Sequence, residues 1–179
     1  MSQRQNIVLI GFMGSGKSSI GRLIAQKFGF QFVDTDAVVV ERAGRPIPEI
    51  FQRDGEEHFR TLETAALESL MHLRRCVIAT GGGVILRERN RQLLSELGFV
   101  VLLTANEDVI FERVSRNTRR PLLQTPNPRE TMVKLLAERQ PLYEATAQWT
   151  LDTGGFSHDQ AANAVIAEAR HAFAWQGGA

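Results

Sequence analysis

Short runs of apolar residues alternate along the chain with longer stretches in which apolar residues recur every three or four positions. The runs are typical of buried parallel strands, and the stretches are typical of helices with one buried face. The runs predict strands at residues 7–10, 30–33, 76–79, 99–103 and 149–151. The stretches predict helices at residues 19–28, 37–43, 45–51, 56–73, 88–97, 107–116, 128–147 and 159–175. This alternation indicates an α/β fold in which helices cover both faces of a parallel sheet.

Glycine, proline and asparagine mark several of the predicted helix ends. Gly44 is a natural C-cap for the helix before it, and Asn106 is the expected N-cap of the helix after it. Pro48 falls in a first helical turn, where proline is tolerated, but Pro141 falls inside a long helix and is expected to bend or interrupt it. Residues 117–127 contain two prolines and no apolar period, so they predict a mobile loop.

The composition is typical of a globular protein. The 179 residues are 43% hydrophobic and 23% charged, which suits one domain over residues 1–179. A formal net charge of +1 gives no reason to expect nucleic-acid binding. The single Cys76 excludes an internal disulfide and a cysteine-built zinc site, and its apolar surroundings predict a core residue. The polar N-terminus fits no signal peptide and no apolar stretch reaches about 18 residues, so a soluble cytoplasmic protein is expected.

Residues 11–18 match G-x-x-x-x-G-K-S/T, the P-loop, between a predicted strand and a predicted helix. The glycines of this motif allow a tight turn whose N–H groups face a phosphate, and the helix N-terminus adds partial positive charge. Lys17 would reach the β- and γ-phosphates, and the Ser18 hydroxyl would bind Mg²⁺. The alternative is a chance match in a glycine-rich turn. The motif in this context predicts binding of a nucleoside triphosphate.

Polar groups follow the second and third strands as well. Asp34 and Asp36, two residues apart in an extended segment, point to the same side. One could hold Mg²⁺ through water and the other could accept a hydrogen bond from a substrate hydroxyl; the alternative is a loop aspartate that caps the next helix. The glycines at 81–83 leave room for a ligand, or form a flexible turn. No aspartate ends the strand at 76–79, so the usual Walker B function falls to Asp34.

Arginines supply the remaining candidate chemistry. Arg119 and Arg120 lie in the predicted mobile loop, where a lid could close an arginine over the transferring phosphoryl group. Arg60 and Arg139 lie in helical surroundings and could grip a carboxylate bidentately, although a solvated face is the commoner fate of a helical arginine. Physical reasoning alone does not select these two. The four histidines lack metal-ligand spacing and are expected to be structural or surface residues.

These residues together resemble the shikimate kinase family, from residue 7 to about residue 152. The resemblance rests on the P-loop and, in order, on D-x-D at 34–36, F-R-x-x-E at 59–63, T-G-G-G at 80–83, R-P-L-L at 120–123 and E-R-x-P-L-Y at 138–143. It implies a fold like that of nucleoside monophosphate kinases, with a five-stranded parallel sheet in the order 2-3-1-4-5. It also implies a substrate-binding region at about 35–63 and a lid at about 116–128. The implied reaction is ATP-dependent phosphorylation of the 3-hydroxyl of shikimate.

The resemblance assigns roles to particular residues. The residues implied for shikimate binding are Asp36, Phe51, Phe59, Arg60, Gly81, Gly82, Gly83 and Arg139. Those implied for ATP binding are Gly14, Ser15, Gly16, Lys17, Ser18, Ser19, Arg113 and Arg120, with Arg113 at the adenine. Catalysis is assigned to Lys17, Asp36 and Arg120, and Mg²⁺ to Ser18 and, through water, Asp34. Glu63 would orient Arg60 from one helical turn away. A monomer is expected, with shikimate and ATP as its partners.

Some positions depart from the family pattern. Ser19 stands where threonine is usual, and Pro46 and Pro48 replace a typical Ser-Ile-x, which removes an N-cap hydroxyl and stiffens the substrate loop. Two other functions stay open at this point: another small-molecule kinase of the same fold, such as a gluconate kinase, and a nucleotide-binding regulatory module without turnover. Acceptor-dependent release of ADP distinguishes the three.

Overall fold

A computed structural model of the protein describes residues 5–115 and 125–175. Its five strands form one parallel sheet in the order β2-β3-β1-β4-β5, which confirms the order implied by the resemblance. The strands are β1 (Ile7–Ile10), β2 (Gln31–Asp34), β3 (Cys76–Ala79), β4 (Phe99–Thr104) and β5 (Trp149–Asp152). Each lies within about one residue of its predicted position.

The helices of the described residues are α1 (Lys17–Phe28), α2 (Thr35–Ala43), α3 (Ile47–Ser69), α4 (Glu88–Leu97), α5 (Glu107–Ser115), α6 (Pro128–Thr146) and α7 (His158–Trp175). A short 3-10 helix, Val84–Leu86, precedes α4. Gly44 caps α2 with φ 67°, and the Asn106 side chain accepts the Val109 N–H at 2.9 Å, so both predicted caps are confirmed.

The centre of the sheet, where β1 pairs with β3 and β4, is buried on both faces. All four residues of β1 are fully buried. Alternate residues of this strand belong to two different cores: Val8 and Ile10 face one layer of helices, and Ile7 and Leu9 face the other. Burial on both faces explains why β1, β3 and most of β4 are uninterrupted apolar runs, whereas the partly exposed edge strands β2 and β5 contain polar residues. Cys76 lies in the core that contains Val8 and Ile10, as predicted for a core residue, with 1% of its surface exposed.

Helix α3 corresponds to the two helices predicted at 45–51 and 56–73, joined by a kink. Gly55 forms that kink with φ 83° and ψ 171°, a conformation that is essentially restricted to glycine. Pro46 is the N-cap of α3 and offers no side-chain cap, in line with the hydroxyl expected to be missing there. The kink allows residues on either side of Gly55 to face one cavity.

Helix α6 is continuous through Pro141, so of the two outcomes predicted there, a bend or an interruption, the interruption does not occur. Proline removes one backbone donor, but buried neighbours hold the helix on both sides of it: Arg139 and Tyr143 are 4% and 0% exposed. Tertiary packing outweighs the local cost of the missing hydrogen bond here.

The side chain of Asn6 ties together the end of the sheet opposite the P-loop. Its amide donates to the carbonyls of Leu73 and Leu97 at 3.0 and 2.9 Å, and its oxygen accepts the Cys76 N–H at 3.0 Å. Asn6 is fully buried, and its bonds with Leu97 and Cys76 are sheltered from water.

Part of the predicted lid lies outside the described residues. This applies to residues 116–124, which include Arg119, Arg120 and the R-P-L-L motif. Across 5–115 and 125–175, no helix combines the length and the apolar character needed to cross a membrane.

Candidate active site

Three polar segments meet beyond the carboxyl ends of neighbouring strands. The P-loop follows β1, the two aspartates end β2 and begin α2, and the glycines at 81–83 follow β3. Since these strands are adjacent and parallel, their following loops lie side by side, as expected for an open α/β sheet.

The P-loop needs glycine at its first position because β4 passes close by. Gly11 has φ 142°, and a Cβ there would lie 2.3 Å from the Leu103 carbonyl oxygen. Gly16 forms the N-cap of α1 with φ 94°. The Lys17 ammonium lies over the loop and donates to the carbonyls of Gly11 and Phe12, both at 2.8 Å. The loop therefore places a largely buried cation beside the N-terminus of α1.

Ser18 and Asp34 form a pair of oxygen ligands. The Ser18 hydroxyl donates to Asp34 Oδ2 at 3.0 Å, while Asp34 Oδ1 accepts the Asp36 N–H at 3.0 Å. Asp34 is thus the N-cap of α2, so the capping role considered above for Asp36 belongs to Asp34. A hydroxyl next to a carboxylate suits Mg²⁺, which usually keeps several waters and takes few protein ligands. Within the described residues no group of three or more histidine, cysteine, aspartate and glutamate side chains could hold a metal ion.

A cleft opens above the P-loop. Of the residues assigned to ATP, the cleft is lined by Gly14, Gly16, Lys17, Ser18, Ser19 and Arg113. Arg113 donates from Nη1 to the Gly14 carbonyl at 3.2 Å. The side chain of Ser15 is buried instead, and its backbone N–H bonds to the Phe12 carbonyl at 3.2 Å. His158, expected to be structural or a surface residue, also lines this cleft.

A second cavity adjoins the cleft and collects all the residues assigned to shikimate: Asp36, Phe51, Phe59, Arg60, Gly81, Gly82, Gly83 and Arg139. Phe51 and Phe59, which flank the kink in α3, pack with their ring centroids 4.8 Å apart. Met13, Asp36, Gly81 and Gly82 line both the cavity and the cleft. The second cavity is called the acceptor cavity below.

Arg60 is anchored in the acceptor cavity by two carboxylates of its own helix. Nη1 donates to Glu63 Oε2 at 2.9 Å, and Nη2 donates to Glu56 Oε1 at 2.9 Å. Burial lowers the pKa of Arg60, but the ion pairs with Glu63 and Glu56 outweigh burial and raise it overall. Arg60 is therefore a permanent cation, and the expected Arg60–Glu63 contact at i, i+3 is present.

Glu63 is fully buried, and only one of its oxygens is satisfied. Oε1 has no hydrogen-bond partner among the described residues. Burial raises the pKa of the Glu63 carboxyl, and the ion pair with Arg60 opposes that rise. Glu63 lines the acceptor cavity, so the wall of this cavity includes a carboxylate with one unsatisfied oxygen.

The glycines at 81–83 form a turn, closed by a 3.2 Å bond from the Val84 N–H to the Gly81 carbonyl, and they also leave room for neighbouring side chains. None of them has a φ in the left-handed region. A Cβ on Gly81 would lie 2.7 Å from Asp36 Oδ1 and 2.8 Å from Glu63 Oε1. A Cβ on Gly83 would lie 2.3 Å from Nη1 of Arg60. Much of the space left by these glycines is taken by the protein's own charged side chains, a use that the sequence did not reveal.

Gly82, the middle glycine of the three, contacts helix α6 through its backbone carbonyl. The Gly82 carbonyl accepts from Arg139 Nη1 at 3.4 Å and from the Tyr143 hydroxyl. The Arg139 guanidinium also lies over the Phe12 ring, 5.8 Å from its centroid. Burial raises the pKa of Tyr143, so the phenol stays protonated and can donate. Tyr143 is the last residue of the E-R-x-P-L-Y motif. Its i, i+4 spacing from Arg139, which places both residues on one face of α6, is the one signal in the sequence of its burial.

The sequences of known proteins align with most of this chain. A family model described as Shikimate kinase matches residues 13–170. The shikimate kinase of Thermodesulfovibrio yellowstonii is 48% identical over 164 residues, covering 92% of this chain and 94% of its own. The shikimate kinase of Geobacter sulfurreducens is 48% identical over 156 residues, covering 87% of this chain and 86% of its own.

Solved structures agree with the sequence matches. The shikimate kinase from Acinetobacter baumannii in complex with shikimate aligns with a TM-score of 0.90 at 36% identity, covering 95% of this chain and 94% of that one. The shikimate kinase from Aquifex aeolicus aligns with a TM-score of 0.80 at 32% identity, covering 92% of this chain and 96% of that one.

Proposed function

The chain belongs to the shikimate kinase family, and we propose that its cleft and acceptor cavity carry out ATP-dependent phosphorylation of the 3-hydroxyl of shikimate, giving shikimate 3-phosphate and ADP. One observation carries the assignment to these residues: Asp36 lines both spaces. A carboxylate at that junction can contact an acceptor hydroxyl and face the phosphate side at the same time.

Binding of shikimate is assigned to two arginines and two aromatic rings. Arg60 and Arg139 are 5% and 4% exposed, so their attraction for a carboxylate is weakly screened by water. Phe51 and Phe59 line the cavity and would supply the apolar wall for the ring, and the backbone at 81–83, which also lines it, would receive the ring hydroxyls. A small ring with one carboxylate and several hydroxyls matches this lining.

Phosphoryl transfer is mostly positioning and neutralisation of charge. Asp36 orients the attacking hydroxyl and is placed to accept its proton. Lys17, which contacts the P-loop carbonyls, would turn its ammonium to the β- and γ-phosphates. Arg113 is assigned to the adenine and Arg120, outside the described residues, to the closing lid. Gly14, Ser15, Gly16 and Ser19 would complete the nucleotide site through the loop and the start of α1.

Mg²⁺ would be held by the Ser18 hydroxyl and, through water, by Asp34. Their 3.0 Å contact beside Lys17 supports this assignment. When bound, the ion neutralises charge on the β- and γ-phosphates. We assign the activity to a single domain over 1–179, acting as a monomer in the cytoplasm, where ATP is available.

Release of ADP from Mg-ATP tests this function, with shikimate, gluconate, quinate or no acceptor present. We expect strong release with shikimate alone. Release with gluconate instead would keep the kinase fold and the role of Lys17 but overturn the assignments of Arg60 and Arg139. ATP binding without acceptor-dependent release would indicate a regulatory module.

A further inference from the structure

Glu56 occupies one edge of the guanidinium of Arg60, a residue that lines the acceptor cavity. Its Oε1 accepts from Arg60 Nη2 at 2.9 Å and from Nε at 3.3 Å. Nε and Nη2 form one of the edges through which a guanidinium binds a carboxylate bidentately. Glu63 contacts only Nη1. A carboxylate of the protein therefore already sits on one carboxylate-binding edge of Arg60.

The two carboxylates on Arg60 differ in how easily they can leave. The side chain of Glu63 is 1% exposed, and removing it from Arg60 would leave a buried charge without a partner. The side chain of Glu56 is 48% exposed and does not line the acceptor cavity, so it can turn into water. Because the Glu56 end of this pair faces water, the contact is screened and costs less to break than a fully buried pair. Only Glu56 can leave at low cost.

The charges around the cavity favour such an exchange. The two arginines of the lining are balanced by Asp36 and Glu63. Glu56 adds a further negative charge at Arg60, so an incoming anion meets an arginine that is already neutralised. Departure of Glu56 brings this sum of charges back to zero and removes the repulsion that the substrate carboxylate would otherwise meet.

Gly55 gives Glu56 its position. The kink at Gly55 makes Glu56 the first residue of the second half of α3, one helical turn before Arg60. At i, i+4, a glutamate N-terminal to a basic residue has the favourable orientation for an ion pair.

We propose that Glu56 is an affinity-determining residue, an internal carboxylate that holds the Nε–Nη2 edge of Arg60 until the carboxylate of the acceptor replaces it. This rests on the proposed function, because it takes the acceptor to be an anionic ring bound by Arg60. Glu56 keeps Arg60 oriented while the cavity is empty, and it lowers the net affinity by the free energy of the contact that must be broken.

Titration calorimetry of shikimate binding without nucleotide tests the exchange. Glu56→Gln should bind shikimate about two- to fivefold more tightly than wild type, the range that corresponds to one partly exposed ion pair. The KM for shikimate should fall by the same factor while the KM for ATP stays unchanged. Glu57→Gln is the matched control: it removes the same charge one residue further on, from a side chain that is 87% exposed and pairs with Arg87. Its affinity should equal that of wild type.

The variant Glu56→Asp distinguishes the effect of the direct contact with Arg60 from the effect of the negative charge alone. It keeps the negative charge but shortens the side chain by one methylene, so it should also bind shikimate more tightly. An affinity of Glu56→Asp equal to wild type would show that only the long-range field matters, and would overturn the exchange. Weaker binding by Glu56→Gln would overturn it too, because Glu56 would then help Arg60 to bind the acceptor. A wild-type chain that releases no ADP with shikimate would instead overturn the proposed function.

Discussion

Replacing Gly83 with alanine is expected to damage binding of the acceptor and to spare both the fold and the nucleotide site. Gly83 has φ −99° and ψ 1°, the conformation of position i+2 in a type I turn, which residues other than glycine also adopt. An alanine Cβ would lie 2.3 Å from Nη1 and 2.5 Å from Cζ of Arg60, closer than real Cβ contacts. The guanidinium therefore has to move. Because it is the end of a long side chain, the helices around it need not.

The expected decrease in kcat/KM for shikimate follows from the hydrogen bonds that the Arg60 guanidinium makes. Moving it disturbs the 2.9 Å contacts with Glu56 and Glu63 and misdirects the donors meant for the acceptor carboxylate. A hydrogen bond to a charged group contributes about 1.5–3 kcal/mol. Its loss corresponds to a decrease of about 10- to 150-fold in kcat/KM for shikimate.

A coupled assay of ADP release measures this decrease, with KM determined separately for shikimate and for ATP, and a thermal melt checks the fold. Gly155→Ala is a control for the glycine-to-alanine change, since nothing lies within 4 Å of a Cβ at that position. If folded Gly83→Ala kept a kcat/KM for shikimate within twofold of wild type, the contact between Gly83 and Arg60 would not position the acceptor.

Further substitutions test the remaining parts of the site and of the fold. Lys17→Ala and Asp36→Asn should each lower kcat by on the order of 10²-fold or more, and near-normal turnover of Asp36→Asn would remove Asp36 from the mechanism. Arg139→Ala should mainly raise the KM for shikimate; an equal rise in the KM for ATP would contradict its assignment. Tyr143→Phe removes a donor to the Gly82 carbonyl and should raise the KM for shikimate severalfold with kcat nearly unchanged. Asn6→Ala leaves buried backbone groups without partners and should lower the free energy of unfolding by about 2 kcal/mol or more in urea titrations, while the kinetic constants stay at wild-type values.

The fold could be predicted from the sequence largely because the three central strands, β1, β3 and β4, are buried on both faces. Their apolar runs are unambiguous, and glycine or asparagine marks the helix ends. Glycine and proline residues inside the helices were less informative about where a helix ends. A glycine at 55 is compatible with two helices or with one kinked helix, and a proline at 141 carries a cost that only tertiary packing offsets. These outcomes depend on contacts between residues far apart in the chain.

The site was predicted unevenly for the same reason. The P-loop is a contiguous motif with its own physical logic, so its residues are visible from spacing alone. Arg60 and Arg139 lie 79 positions apart and look like ordinary helical arginines until α3 and α6 bring them to one cavity. The resemblance to a family, rather than the pattern, selected them. The contact of Glu56 with Arg60 had no signal beyond its i, i+4 spacing.

The packing of charged side chains against the backbone at 81–83 has a consequence for how this sequence can diverge. Position 83 must lack a Cβ as long as position 60 carries an arginine, and position 81 is constrained in the same way by the carboxylates at 36 and 63. These sites should accept substitutions together rather than one by one. A descendant that exchanged Arg60 for a smaller residue would be free to gain a side chain at 83, and with it a different choice of acceptor.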